Sequence, residues 1–390
     1  MNLQPFQKRT WATIDLDAAE HNFSEIRHRL NPDTKLCCVV KANGYGHGAI
    51  QLSKLYEKLG ADYLAVSNIE EAIQLRNANI TLPVLILGYT DPRCAYDLAQ
   101  NNITQCVFSY DYGRALSDNA ERTRVTVKTH VKIDTGMGRI GFQCDKEELE
   151  KAAQVCLFPG LLTEGIFTHF ASADEGEAGK AYTLEQFNKF MNAINYLEAK
   201  GTKFHLRHCA NSAGIFDYPE THLNMVRAGV VLYGLQPSTA LNNAGNLQPV
   251  LTLNTIIDHI KTVHPGDCIS YGREYKAGKE MRIATIPIGY ADGLWRSNYQ
   301  NHMVVEVEKK WAPIIGRVCM DQCMIDVTDI LDAAVNSKVT VYGKDGEISV
   351  DHIAAANGTI NYEIVCAIGE RVPRVYKQNG QTVAVIDNIV

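Results

Sequence analysis

Eight short apolar runs recur along the first part of the chain, and helical patterns separate most of them. The runs are Leu36–Val40, Tyr63–Val66, Val84–Leu87, Gln105–Phe108, Val125–Ile133, Leu161–Phe167, Phe204–His208 and Asn224–Val226. Between them lie segments of helical period. The clearest is Leu184–Leu197, with Leu184, Phe187, Phe190, Met191, Ile194 and Leu197 on one face. Short buried strands followed by helices are the signature of parallel βαβ units. Eight of them predict an α/β fold that closes as a (β/α)8 barrel rather than an open sheet.

The texture changes after Gly234. Gln236-Pro237-Ser238 and Asn242–Asn246 read as a linker. Beyond it, apolar and polar residues alternate in Leu251–Ile260, Met281–Ile288, Met303–Val307, Met324–Val327 and Lys338–Tyr342, with one helical stretch at Val350–Ala356. Two domains are expected. Residues 1–240 form the barrel, with 1–10 a candidate for packing on the second domain, and 241–390 form a mostly-β domain.

Composition excludes several classes. Lys+Arg total 38 against Asp+Glu 44, a net charge of −6 at pH 7, which gives no electrostatic case for nucleic acid. No apolar run is long enough to span a membrane. The start, MNLQPFQKRTWATIDL, lacks the apolar core of a secretory signal, so a cytoplasmic location is expected. The 11 cysteines contain no CxxC pair, so neither a disulfide framework nor a metal site is expected.

Catalytic groups of a parallel barrel sit where strands end. The residues just past the predicted strands are Lys41-Ala42-Asn43-Gly44-Tyr45-Gly46-His47-Gly48, then Asp134–Arg139, His169, Asn211-Ser212, and Arg227 with Gly229 and Val230. A desolvated lysine at a barrel mouth forms Schiff bases readily. The glycines after Lys41 would bring backbone N–H groups close to a bound anion. Each residue also has an ordinary reading: a snorkelling lysine, a core histidine, a surface arginine. Together at one rim, a lysine, a glycine-rich cradle and a hydroxyl pair fit pyridoxal phosphate. Gly136-Met137-Gly138-Arg139-Ile140-Gly141 matches GxGxxG, but Phe142–Asp145 intervenes before the next helical pattern, unlike a dinucleotide loop.

Val40–Gly48 resembles the pyridoxal-phosphate attachment motif of alanine racemases. The resemblance continues through Lys132–Arg139, Thr168-His169-Phe170, Ala210-Asn211-Ser212 and Val226–Gly229. In the second domain it includes Ser270-Tyr271-Gly272, Gly289–Gly293, Gly316–Asp321 and Asn361-Tyr362-Glu363. It implies that Lys41 is the cofactor attachment point and one of two catalytic bases, and that Tyr271 is the other. His169 and Arg139 would supply the cationic environment that lowers the tyrosine pKa from its usual ~10. Arg227 would face the cofactor ring nitrogen; because arginine cannot accept a proton, it would leave that nitrogen unprotonated and suppress side reactions such as transamination. Phosphate binding would fall to Tyr45, Ser212, Tyr362 and the backbone near Gly229 and Val230, with Asn211 in the same cofactor site. Arg139 and Met320 would hold the substrate carboxylate. Lys132, either N-carboxylated or an ordinary paired lysine, and Asp321 would act in support. Tyr290, Arg317 and Asp174 would line an access corridor.

The resemblance also implies a homodimer with composite active sites, Tyr271 and Met320 coming from the partner chain. The expected activity is interconversion of L- and D-alanine, supplying D-alanine for peptidoglycan. The alternatives are a racemase for serine or for a broader range of amino acids, and a non-catalytic pyridoxal-phosphate-binding barrel. One departure from the family pattern, Gly369-Glu370, is expected to have no catalytic consequence.

Overall fold

The structure is a computed structural model that describes residues 9–243 and 245–389. Its chain divides into two compact units. One contains 20–44 and 49–247; the other joins 9–19 and 45–48 to 248–389. The remainder of the 1–10 stretch, residues 1–8, lies outside the described residues.

The first unit is a nearly closed parallel barrel. All eight expected runs are strands, in the order Met225–Ala228, Lys35–Val39, Tyr63–Val66, Val84–Ile86, Ile103–Val107, Val127–Asp134, Leu161–Phe167 and Leu206–His208. Tyr63–Val66, Val84–Ile86 and Ile103–Val107 are buried along their whole length, because helices cover the outer face and side chains fill the interior. This is why they read as continuous apolar runs. The remaining seam is stitched singly: Asn224 N–H donates to the Arg207 carbonyl at 3.2 Å and Arg227 N–H to the Ala210 carbonyl at 3.0 Å.

Local chemistry starts the helices. Asn68, Ser109 and Asp145 each accept a hydrogen bond from a backbone N–H three residues on, capping Ile69–Asn77, Tyr110–Thr123 and Lys146–Cys156. Each cap is worth about 1 kcal/mol. The amphipathic pattern at 184–197 belongs to the longer helix Glu177–Ala199.

The second unit is built on a ten-stranded sheet whose strands are mostly antiparallel. Its order places Trp11–Asp15 between Leu251–Ile256 and Arg374–Gln378, antiparallel to the first and parallel to the second. The N-terminal segment thus contributes a full strand to this unit, reaching well past residue 10. The unit's helices are Val350–Ala356, as expected, and a second one, Asn361–Cys366. Among the described residues no helix is long and apolar enough to cross a membrane, and no cluster of His, Cys, Asp and Glu is placed to hold a metal ion.

Candidate active site

Lys41 follows the first barrel strand and opens a turn of reversed hand. Ala42, Asn43 and Gly44 have φ of 52°, 51° and 60°, and Tyr45 continues at 51°. Consecutive left-handed non-glycine residues cost roughly 1–2 kcal/mol each, so the surroundings must hold them. Within the barrel unit the holds are visible. Gly44 N–H donates to the Val40 carbonyl at 2.8 Å, and Ala49 N–H to Asn43 Oδ1 at 3.0 Å. Glu71 accepts from Ala42 N–H and from Ser67 N–H, both at 2.7 Å. Glu71 was not singled out in the sequence, where it looks like an ordinary helix-start carboxylate. Glu71→Gln would turn an amide N–H toward one of those two N–H groups. The expected cost is about 1–3 kcal/mol of stability, with weaker retention of any group bound at Lys41; thermal denaturation and cofactor titration check both.

Gly46 and Gly48 each permit a close approach within their unit. A Cβ at Gly46 would lie 2.2 Å from the Val365 carbonyl oxygen, and one at Gly48 would lie 1.8 Å from the Tyr376 hydroxyl. Tyr45 is buried in the same unit as these groups, its ring 5.9 Å from that of Tyr362.

Arg227 sits fully inside the barrel, 3% exposed. Nη1 donates to His208 Nδ1 at 2.8 Å. Nη2 donates to the carbonyls of Thr168 at 2.8 Å and Cys209 at 3.1 Å, and lies 3.3 Å from His169 Nδ1. Among the described residues no carboxylate pairs with it. Burial lowers its pKa to about 10, so it stays charged at neutral pH. Burial and the Arg227 charge hold His169 and His208 well below the usual imidazole range and push His130 down to about 3. Both effects favour the neutral ring of His169. Since its Nδ1 faces a guanidinium that can only donate, its proton lies on Nε2.

Lys132 is buried, with Nζ 4.6 Å from the Phe167 ring centre. Burial and then Arg227 lower its pKa to about 7, so much of it is neutral amine near neutrality. Arg139 is exposed on the following loop. That loop is organised by Asp134 Oδ1, which accepts from Gly136 N–H and Gly138 N–H, both at 3.0 Å. It leads into the short strand Phe142–Gln143 rather than a helix, so its GxGxxG pattern lacks the context of a dinucleotide site.

The last strand ends meet nearby in sequence and space. Asn211 Oδ1 caps the turn Ser212–Asp217, and Gly229 N–H donates to Ser212 Oγ at 3.0 Å. Val230 opens the buried turn that follows. Asp174 is half-buried in this unit.

In the second unit Tyr271 projects from a strained turn and is 67% exposed. Ser270 adopts φ 66°, ψ −175°, a region natural to glycine, and its hydroxyl donates to the Arg317 carbonyl at 2.5 Å. The turn rests on a core of Val263, Ile269, Ala277, Met281, Ile283 and Ile315. Tyr271, Cys319, Met320 and Asp321 line one cleft of about 480 Å³. Met320 is placed through its neighbours: Ala291 N–H donates to its carbonyl at 3.1 Å, and Tyr290 N–H to that of Cys319 at 3.1 Å. Arg371 bridges Asp292 at 2.8 Å and Asp321 at 2.7 Å, which braces both loops. The Gly369 departure fits here, since a Cβ would lie 2.8 Å from the Ala291 carbonyl oxygen. Arg317 pairs with Glu274. Tyr290 is 44% exposed.

The chain thus carries a lysine and a buried guanidinium on one unit and an exposed tyrosine beside a methionine-lined cleft on the other. Residues 14–237 match the family profile described as alanine racemase, N-terminal domain, and 250–376 match the C-terminal domain. The chain belongs to the alanine racemase family. A relative named alanine racemase from Desulfovibrio desulfuricans is 48% identical over 95% of this chain and 99% of its own length. One from Methanococcus maripaludis is 43% identical over 94% and 98%. Among solved structures, the Clostridium difficile alanine racemase superposes with TM-score 0.94 at 41% identity, covering 98% of this chain and 99% of its own. The Bacillus anthracis racemase, solved with bound L-Ala-P, gives 0.92 at 38% identity, covering 98% and 99%. The fold and the isomerase assignment expected from the racemase-like motifs are borne out. The family depends on pyridoxal phosphate and racemises alanine.

Proposed function

We propose that the chain interconverts L- and D-alanine with pyridoxal phosphate held at Lys41 and proton transfers made by Lys41 and Tyr271. One observation carries this reading: Arg227 is a buried cation with no carboxylate partner among the described residues. An uncompensated buried charge is costly, and it persists where a ligand supplies the acceptor. Nη1 keeps a second hydrogen beyond the one given to His208, and a pyridine nitrogen is an acceptor of the right kind. The Ser212–Gly229 corner, with Asn211 and Val230, offers a hydroxyl and backbone N–H groups for a phosphate, and Tyr45 and Tyr362 offer phenols.

When bound, pyridoxal phosphate delocalises the electron pair left on the substrate Cα after its proton is removed. The protein does the rest. Lys41 Nζ takes or returns the proton on one face of Cα. Tyr271, supplied by the partner chain of a homodimer, serves the opposite face. His169, neutral with a proton on Nε2, stabilises a phenolate by hydrogen bonding rather than by charge. Arg139 and the Met320 backbone hold the substrate carboxylate, and Tyr362 and Met320 leave room for a methyl group. Tyr290, Arg317 and Asp174 line the approach, and Asp321 with Arg371 steadies it. The product serves peptidoglycan synthesis in the cytoplasm.

Lys132 fits N-carboxylation. The reaction joins a neutral amine to carbon dioxide and releases a proton, so it is favoured as pH rises through about 7. Isotope-labelled bicarbonate should give a carbamate NMR signal at Lys132 that fades as pH falls below that value; an ordinary lysine shows none at any pH.

Borohydride treatment of the cofactor-loaded protein should fix the cofactor to Lys41 in a peptide map. Racemisation should be measured with alanine, serine, lysine and arginine. A protein that takes up no pyridoxal phosphate overturns the reading, and a preference for serine replaces alanine as substrate.

A further inference from the structure

Behind Arg227 lies a chain of imidazoles whose hydrogen bonds can run in only one direction. A guanidinium has donors and no acceptor, so His208 Nδ1, 2.8 Å from Arg227 Nη1, must present a lone pair. The proton of neutral His208 is then on Nε2. That atom lies 2.9 Å from His130 Nδ1, which must in turn be the acceptor. The His130 proton is left on Nε2, where it has no hydrogen-bond partner and no exposure to solvent. Both rings are completely buried.

The packing around this chain is equally specific. His208 stacks on Phe167 at 4.9 Å with an interplanar angle of 2°. The His130 ring lies flat against Gly165, where a Cβ would come within 2.7 Å of three ring atoms. The two strands shift register between Thr129 and His130, next to this contact. A glycine inside a strand is otherwise unfavourable, and here it makes room for a ring. A buried N–H left without an acceptor costs free energy, and native structures retain few of them.

We propose that His130 is a positioning residue for the racemase reaction: its Nδ1 lone pair fixes the His208 tautomer and thereby aims Arg227. The inference rests on the reading of Arg227 as the partner of the cofactor ring nitrogen. Without the His130 acceptor, the buried His208 Nε2–H is left unsatisfied, and only the bond from Arg227 still favours that tautomer. Moving that proton to Nδ1 sets one donor against another and turns the guanidinium away. His130 touches neither substrate nor cofactor in this account and acts only through His208.

Ring-nitrogen NMR of histidine-labelled, cofactor-loaded protein tests the tautomers directly. Both His208 and His130 should be neutral and protonated at Nε2 across the neutral range; a proton on Nδ1 of either, or a doubly protonated ring, overturns the proposal. Two variants test the consequence. His130→Leu removes the acceptor, whereas His130→Asn keeps an oxygen where Nδ1 stood. The leucine variant should bind pyridoxal phosphate about tenfold to a hundredfold more weakly and lose kcat with little change in KM, and the asparagine variant should recover most of both. Equal effects of the two, or a folded leucine variant that binds like the parent, contradict the positioning role. If the leucine variant does not fold, the tautomers of the parent decide. They are read without any turnover, so a failed alanine assay in the parent would count against the proposed function and leave the tautomer result standing.

Discussion

Lys41→Ala is expected to abolish racemisation from both alanine enantiomers and to end covalent retention of pyridoxal phosphate. The loss should be about 1,000-fold or more, because on the proposed reading one residue supplies both the attachment point and a base. Stability should change little. Lys41 is only half-buried, and Glu71, Val40 and Asn43 supply hydrogen bonds that hold the reversed turn after it. Absorbance of the bound cofactor, turnover from each enantiomer and thermal denaturation separate these effects. A variant that unfolds, or one that keeps its colour and activity, contradicts the assignment.

Tyr271→Phe should be nearly as damaging but one-sided. Removing one positioned acid–base group costs roughly 100- to 10,000-fold. The fold should not notice, since the side chain is 67% exposed on its own unit. Cofactor attachment should survive, and exchange of the Cα hydrogen with solvent deuterium should persist from the enantiomer that Lys41 serves. In Lys41→Ala carrying non-covalently supplied cofactor, any residual exchange should favour the other enantiomer. Equal losses for both enantiomers in both variants would remove the two-base reading.

Much of this was legible in the sequence, and the reasons are physical. Parallel strands buried on both faces leave continuous apolar runs, so the barrel could be counted along the chain. Residues at strand ends break those runs abruptly, which exposed Lys41, His169 and Arg227 as candidates. Pairing between distant segments leaves no such mark. Trp11–Asp15 carries nothing that says it lies beside Leu251–Ile256 and Arg374–Gln378. The downward pKa shift of His169 was also beyond reach, because it depends on burial and on a guanidinium more than fifty residues away in the chain.

His130 and His208 were passed over for a different reason. Both lie within apolar strands, where a single histidine reads as a satisfied core residue. A signal was present all the same. His130 and Lys132 are two apart in Val127–Asp134, so they share the face that points into the barrel. Two ionisable groups on the inner face of one strand are expensive unless they serve a site. Glu71 left no comparable trace, since acidic residues in the first turn of a helix are ordinary.

On the proposed reading, one active site draws its two bases from two copies of the chain. Mixing inactive Lys41→Ala with inactive Tyr271→Phe under conditions that exchange subunits tests it most directly. A hybrid dimer would join an intact Lys41 from one chain to an intact Tyr271 from the other at one of its two sites. With half of the dimers hybrid, activity should return to roughly a quarter of the parent value. Activity that stays at the level of the separate variants, although subunit exchange has occurred, would place both bases on one chain and contradict the account.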